Sequence, residues 1–190
     1  LGLLGKFDLY QQPFQWRLAV INGFKSSATR PNSPVGLDDE FGLSGRLSFQ
    51  PNGEWGEDGI SDLSWHESLA TRLGGGFAVS PFDTTRGAES LSLFGLDTGE
   101  SYFTLLPTAV EAFTASLFCM DASLRYRGLS LFTEVYFRTT DQFQGAALPT
   151  LFDHGFVVHS GYFVVREQIE LLARWSRASG NSSSLGQANQ

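Results

Sequence analysis

Residues 118–138 read FCMDASLRYRGLSLFTEVYFR, and their alternation decides the fold. Over 118–127, Phe118, Met120, Ala122, Leu124 and Tyr126 share one parity, while Cys119, Asp121, Ser123, Arg125 and Arg127 share the other. Gly128 interrupts the run. Over 129–138, Leu129, Leu131, Val135 and Phe137 then oppose Ser130, Glu134 and Arg138. Strand side chains point to opposite faces with period two, so this stretch is a hairpin with one apolar and one polar face, folded at a tight turn. A helix would instead gather residues three and four apart, and no such stripe is present.

The same period recurs outward from this hairpin. In 14–23, Phe14, Trp16, Leu18 and Val20 oppose Gln15, Arg17 and Ala19. In 41–50, Phe41, Leu43, Leu47 and Phe49 oppose Gly42, Ser44, Arg46, Ser48 and Gln50. In 68–80, Leu69, Leu73, Phe77 and Val79 oppose Ser68, Ala70, Arg72, Gly74 and Ser80. In 168–176, Ile169, Leu171, Ala173 and Trp175 oppose Gln168, Glu170, Arg174 and Ser176. Segment 154–165 is apolar on both faces, which leaves two registers open, and a weaker strand over 3–10 brings the total to eight. The expected class is all-β: an antiparallel up-and-down sheet of the kind that forms transmembrane β-barrels. The triple glycine Gly74-Gly75-Gly76 is expected to give a bulge or a close backbone approach.

Connection lengths alternate. Gln11-Gln12-Pro13, Gly128 and Arg166-Glu167 are short; 24–40, 81–117 and 140–153 are long; 51–66 is intermediate, and 178–190 is a loop-like tail. Sorting of short turns and long loops to opposite ends suits an up-and-down barrel. The stretch Thr104–Phe118 inside the longest loop is apolar enough to pack inside the barrel or against a neighbouring subunit. The chain thus reads as one unit over 1–190, a single barrel segment.

Composition narrows the function. Charged residues make up 17% of the 190 positions and lysine occurs twice, as Lys6 and Lys25. A globular chain averages roughly a quarter charged. One cysteine excludes a disulfide framework, and three scattered histidines offer no metal cluster. No apolar run approaches the ~20 residues of a membrane helix. The net charge of −7 argues against nucleic acid, but its acids concentrate in connections, notably 38–40 and 54–62. Those clusters read as solvated loop, and their spacing fits no EF-hand. The strands carry Arg17, Arg46, Arg72, Arg125, Arg127, Arg138 and Arg174 instead, all on polar parities, with Asp121, Glu134 and Glu170 as the opposing charges. Turned inward, such a wall attracts anions. Guanidinium remains charged and forks onto oxyanions. The plainer alternative is a solvated sheet face on which Glu134 and Glu170 pair with Arg125, Arg138 or Arg174. His66, His154 and His159 stand apart from any nucleophile at a catalytic spacing, and no cofactor motif occurs, so no enzyme activity is expected.

Four stretches carry a resemblance: FQWRLAVING at 14–23, SGRLSFQPNGEWG at 44–56, DASLRYRGLSLFTEVYFR at 121–138 and HSGYFVVREQIELLARWSR at 159–177. Together they cover about a third of the chain, and they resemble the phosphate-selective porins (porin O and P type) of Gram-negative outer membranes. The resemblance implies a 16-stranded barrel, usually a homotrimer in outer-membrane lipid, that passes small anions by diffusion. Eight strands would then be part of a larger porin. Arg17, Arg46, Arg125, Arg127, Arg138 and Arg174 lie in the matching strands, whereas Arg72 rests on alternation alone. The family's constriction is rich in lysine as well, which this chain is not, so the expectation is general anion preference with phosphate as a special case. The competing expectation is a non-conducting structural or adhesive outer-membrane barrel whose loops bind partners.

Overall fold

The computed structural model describes residues 1–9, 12–21, 41–56, 59–83, 106–107 and 109–181. These form one antiparallel sheet of eight strands whose spatial order is the chain order. The strands are β1 (Gly2–Leu9), β2 (Gln12–Ile21), β3 (Gly42–Asn52), β4 (Ala70–Asp83), β5 (Ala112–Tyr126), β6 (Leu129–Gln144), β7 (Leu151–Val165) and β8 (Ile169–Gly180). The sheet is open, with β1 and β8 as its edges. No helix occurs among the described residues.

Partners across an antiparallel ladder share a face, so register turns eight separate alternations into two continuous surfaces. Phe7, Phe14 and Phe49 are successive register partners, as are Phe77, Phe118 and Phe137. The first three stack as a row, with centroids 5.2 and 4.6 Å apart. Arg17↔Arg46, Asp121↔Glu134 and Arg138↔Asp153 define the opposite surface. The apolar surface is uncovered: Phe118 is 46% exposed, Met120 59% and Trp175 65%. Among side chains the structure describes, the only charges on it are Asp141 and Arg177, each three residues from the end of its strand. Segment 154–165 resolves in the same way. Val157 and Phe163 join the polar surface, Phe156, Val158 and Tyr162 the apolar one, and a bulge follows Phe163.

The chain connections sort to two ends. One end holds 10–11, 53–69, 127–128 and 166–168; the other holds 22–41, 84–111 and 145–150. Two expected loops are shorter than their sequence suggested. The 140–153 connection shrinks to 145–150 because β6 continues to Gln144 and β7 begins at Leu151. Similarly, β5 begins at Ala112 within the expected 81–117 loop, and β8 reaches Gly180 within the expected tail. The 24–40 connection, most of 81–117 and the end of the tail lie outside the described residues.

The physical reason is visible at the 84–111 end, where the polar surface turns apolar. Phe82, Leu106, Val110, Phe113, Ala115 and Leu151 form a buried cluster there, with Leu117, Phe143, Ala146 and Leu148 packed against it. Phe82 and Phe113 stack at 5.0 Å. In the early part of β5, Phe113, Ala115 and Leu117 take the parity of the polar surface while Thr114 and Ser116 take the other, so the alternation inverts its phase within the strand and does not continue the pattern of 118–126. Within the apolar 104–118 stretch, the described Leu106 and Val110 pack in this cluster against the sheet, and from Ala112 onward the stretch is strand rather than loop.

The triple glycine makes no bulge: β4 pairs with β3 without a break from Leu73 to Val79. It makes room instead. A Cβ on Gly74 would stand 2.6 Å from both Arg46 Nη2 and Asp121 Oδ2. The side chain of Arg46 on β3 thus crosses bare β4 backbone to reach Asp121 on β5, at 2.6 Å.

Candidate functional site

The polar surface is built upon by the 53–69 segment, which joins β3 to β4 and folds back across the sheet. Gly53 and Gly56 take left-handed φ values of +63° and +70° to start this return. Gly53 needs glycine on space as well, because a Cβ would sit 3.0 Å from the Leu69 carbonyl. Between the two glycines, Trp55 is 3% exposed. Its ring faces two guanidiniums, with Arg72 4.6 Å and Arg125 4.2 Å from the centroid. Arg125 fixes the segment by donating from Nη1 to the Trp55 carbonyl at 2.8 Å and from Nη2 to the Gly59 carbonyl at 2.5 Å.

The far half of the segment is held by Asp62, which is fully buried. Its carboxylate accepts the Gly128 N–H at 2.8 Å and the His66 N–H at 3.2 Å. It also pairs with Nδ1 of the His66 ring, whose Nε2 donates to the Glu54 carbonyl at 3.0 Å. Ser61 donates to Glu170 at 2.8 Å, and Arg166 lies 5.0 Å from the centroid of Trp65. The segment is thereby tied to β5, β8 and two hairpin turns.

Beside Trp55 the polar surface opens into a cleft of about 300 Å³, lined by Gln15, Arg17, Arg46, Ser48, Gln50, Trp55, Gly56 and Arg72. Arg17 and Arg46 are direct cross-strand partners, an opposition of like charges that destabilises a ladder unless something neutralises it. Asp121 takes one oxygen of its carboxylate to Arg46; Arg17 has no acidic partner among the described residues. The cleft thus presents guanidiniums together with amide and hydroxyl groups, a donor-rich lining suited to an oxyanion.

The arginines expected to line one wall have separate placements. Arg17, Arg46 and Arg72 meet at the cleft. Arg125 shares their face, but at 2% exposure it lies beneath the 53–69 segment and lines nothing. Arg127 is a correction: β5 ends at Tyr126, so Arg127 sits in the turn with φ +47°, over the Tyr126 ring at 5.2 Å and 3.6 Å from Glu67. Arg138 forks onto Asp153 at 2.8 and 2.9 Å. Arg174 is exposed on edge strand β8, the register partner of His159. Of the opposing charges, Asp121 pairs with Arg46, Glu170 accepts from Ser61, and Glu134 has no partner among the described residues. The expected pairing of Glu134 and Glu170 with strand arginines is therefore replaced by Asp121 and Asp153.

Two residues escaped the sequence reading. Asp62 was grouped with the solvated acids of 54–62, yet it is the buried anchor of that segment; Glu57 and Asp58 of the same cluster lie outside the described residues. Trp55 gave no signal, since its partners stand 70 positions away at Arg125 and on another strand at Arg72. An available clue was the four-residue spacing of Asp62 and His66, which lets a carboxylate reach an imidazole across one turn of chain. No family model, curated protein or solved structure matches the chain.

Proposed function

We propose that this chain is part of an outer-membrane porin, a passive diffusion channel for small solutes with a preference for anions. The apolar surface faces lipid, the polar surface faces the lumen, and further strands continue the sheet at its two edges. Closure is required by physics, because unpaired strand edges cannot remain bare in hydrocarbon. Eight strands alone would close around a lumen filled by side chains, so a larger barrel of about 16 strands better suits several inward arginines. A porin of the phosphate-selective kind, trimeric in its membrane, is the finer form of this proposal.

The observation that carries it is the pairing of the two surfaces. A water-facing protein rarely leaves an apolar patch beyond a few hundred Å² uncovered. Here such a patch spans the strands while like-charged arginines sit opposed on the reverse side around an open cleft. A non-conducting structural barrel is the second reading, and it is favoured by the cover that the 53–69 segment and the buried Leu106 and Val110 lay over parts of the polar surface.

The test is the zero-current potential of the full-length protein in a planar bilayer under a KCl gradient. The proposal expects discrete conductance steps and a potential whose sign reports chloride preference. Cation preference would overturn the role given to the arginines. Insertion without conductance would establish the structural reading.

A further inference from the structure

Toward the end that carries the 22–41, 84–111 and 145–150 connections, the apolar surface gives way to polar residues strand by strand. Beyond Phe118 the same face of β5 continues with Ser116 and Thr114, and beyond Phe137 that of β6 continues with Thr139 and Asp141. Beyond Trp175, β8 continues with Arg177 and Ser179. Arg177 is the register partner of Phe156, and His154, two residues earlier on β7, is the partner of Ser179. Arg177 and His154 are therefore diagonal neighbours on one face, a separation of about 7–8 Å that long side chains span. Both are exposed, and neither makes a hydrogen bond or an ion pair among the described residues. Asp153, next to His154, points to the other surface, where Arg138 takes it. Asp141 stands two strands away from Arg177 and farther toward the end. Rings flank the pair: Phe152 stacks with Phe137 at 6.2 Å and with His154 at 5.8 Å, and Trp175 meets Phe156 edge-on at 4.8 Å.

We infer that Arg177 and His154 form a binding site for the phosphate headgroup of a membrane lipid, with Phe152 and Trp175 lying along its acyl chains. The inference rests on the channel reading above, which turns the apolar surface toward lipid and makes this boundary the level of the headgroups. An unpaired guanidinium on a lipid-facing surface is costly unless it reaches water or an anion. Lipid phosphate is the anion that a membrane supplies at that level. A guanidinium forks onto two phosphate oxygens, and an imidazole N–H adds a donor in either charge state. The rings fit the same occupant. Aromatic side chains gather where hydrocarbon meets headgroups, and Phe152 and Trp175, 43% and 65% exposed, offer apolar area to the chains. A further strand beside β8 would pair with its free edge and leave this face open. The two surfaces thus hold arginine for different anions: solute in the cleft, lipid at the β7–β8 boundary.

The experiment measures lipid retention by native mass spectrometry of the full-length protein in detergent, with added phosphatidic acid, diacylglycerol of the same chains, or inorganic phosphate. Wild type should retain phosphatidic acid and lose diacylglycerol. The double variant Arg177→Gln, His154→Gln should bind phosphatidic acid about tenfold more weakly, the loss of a charge-assisted contact. Arg177→Lys keeps the charge without the fork and should fall between, and it serves as the test if the double variant does not fold. Conductance in planar bilayers should be the same in all of them, because both side chains lie on the surface away from the lumen. Equal retention of phosphatidic acid by wild type and variants would overturn the inference. So would displacement of the lipid by inorganic phosphate at equal concentration, which would mark a site for free anions, or a wild-type oligomer lost in the variants, which would mark a contact between copies. In each of these cases a conducting wild type leaves the channel reading standing. A wild type that does not enter bilayers would overturn that reading, and this inference with it.

Discussion

Asp62 shows how one carboxylate can organise a long connection. Among the described residues it has no lysine or arginine partner; it takes backbone N–H groups and one imidazole, all from within reach of the 127–128 turn. Replacing it with alanine strands the Gly128 N–H, a buried donor, and frees the His66 ring from its orienting partner. The expected cost is about 1–3 kcal/mol, the penalty of leaving a buried polar group unpaired. Guanidinium unfolding followed by tryptophan emission measures it, and a stability equal to wild type would mean that water replaces the carboxylate without loss. Gly128 is constrained from the other side. Its φ is +80° and a Cβ would meet the Trp65 ring at 2.5 Å, so Gly128→Ala should destabilise the same region and disturb Trp65 emission. Neither dependence can be read from the chain alone, because the partners of Asp62 and Gly128 lie 66 positions apart.

At the scale of elements, strands were legible where their two faces differ and obscure where they do not. β2, β3 and the hairpin of β5 with β6 keep polar and apolar parities distinct, and their faces follow directly from alternation. The start of β5 reverses that contrast: Phe113, Ala115 and Leu117 point into the apolar cluster with Thr114 and Ser116 opposite, whereas from Phe118 and Met120 onward the apolar residues lie on the other face. Residues 139–144 of β6 lose it, being mostly polar on both sides. The apolar cluster is what makes the extended β5 worthwhile. Phe113→Ala should therefore cost about 3–5 kcal/mol, the usual price of emptying an aromatic core position. Hydrogen exchange should then rise at 112–117 ahead of the 118–126 half of the same strand. Uniform exchange along β5 would mean that the cluster does not anchor that half.

For the whole molecule, the decisive property is that, among the described side chains, charge on one surface is confined to strand ends while the other surface gathers it. The 53–69 segment, though, was only an intermediate loop in sequence, and nothing local foretold that it would lie across the sheet. Leu131 tests the surface assignment, since its parity places it among the uncovered apolar residues. If that surface meets lipid, Leu131→Arg should impair folding into bilayers by about 2–4 kcal/mol when the site lies near the midplane. Refolding yield into vesicles at graded urea checks this, and a harmless substitution would remove lipid as the partner of the surface.

The glycine slot on β4 has a consequence for how the sheet avoids error. Strands rich in glycine specify their pairing weakly, because they have few side chains to penalise a slip. Arg46 and Asp121 belong to strands on either side of β4, and their bond passes over Gly74. If β4 slid two residues one way, Arg72 would stand beneath the bond and force it open; if it slid two the other way, Gly76 would take the place of Gly74 and the bond would close unchanged. The ion pair is thus a ratchet rather than a lock: it forbids misalignment in one direction, and the other is guarded by the bulk of Leu73, Phe77 and Val79 on the reverse side and by Phe82 in its buried stack with Phe113.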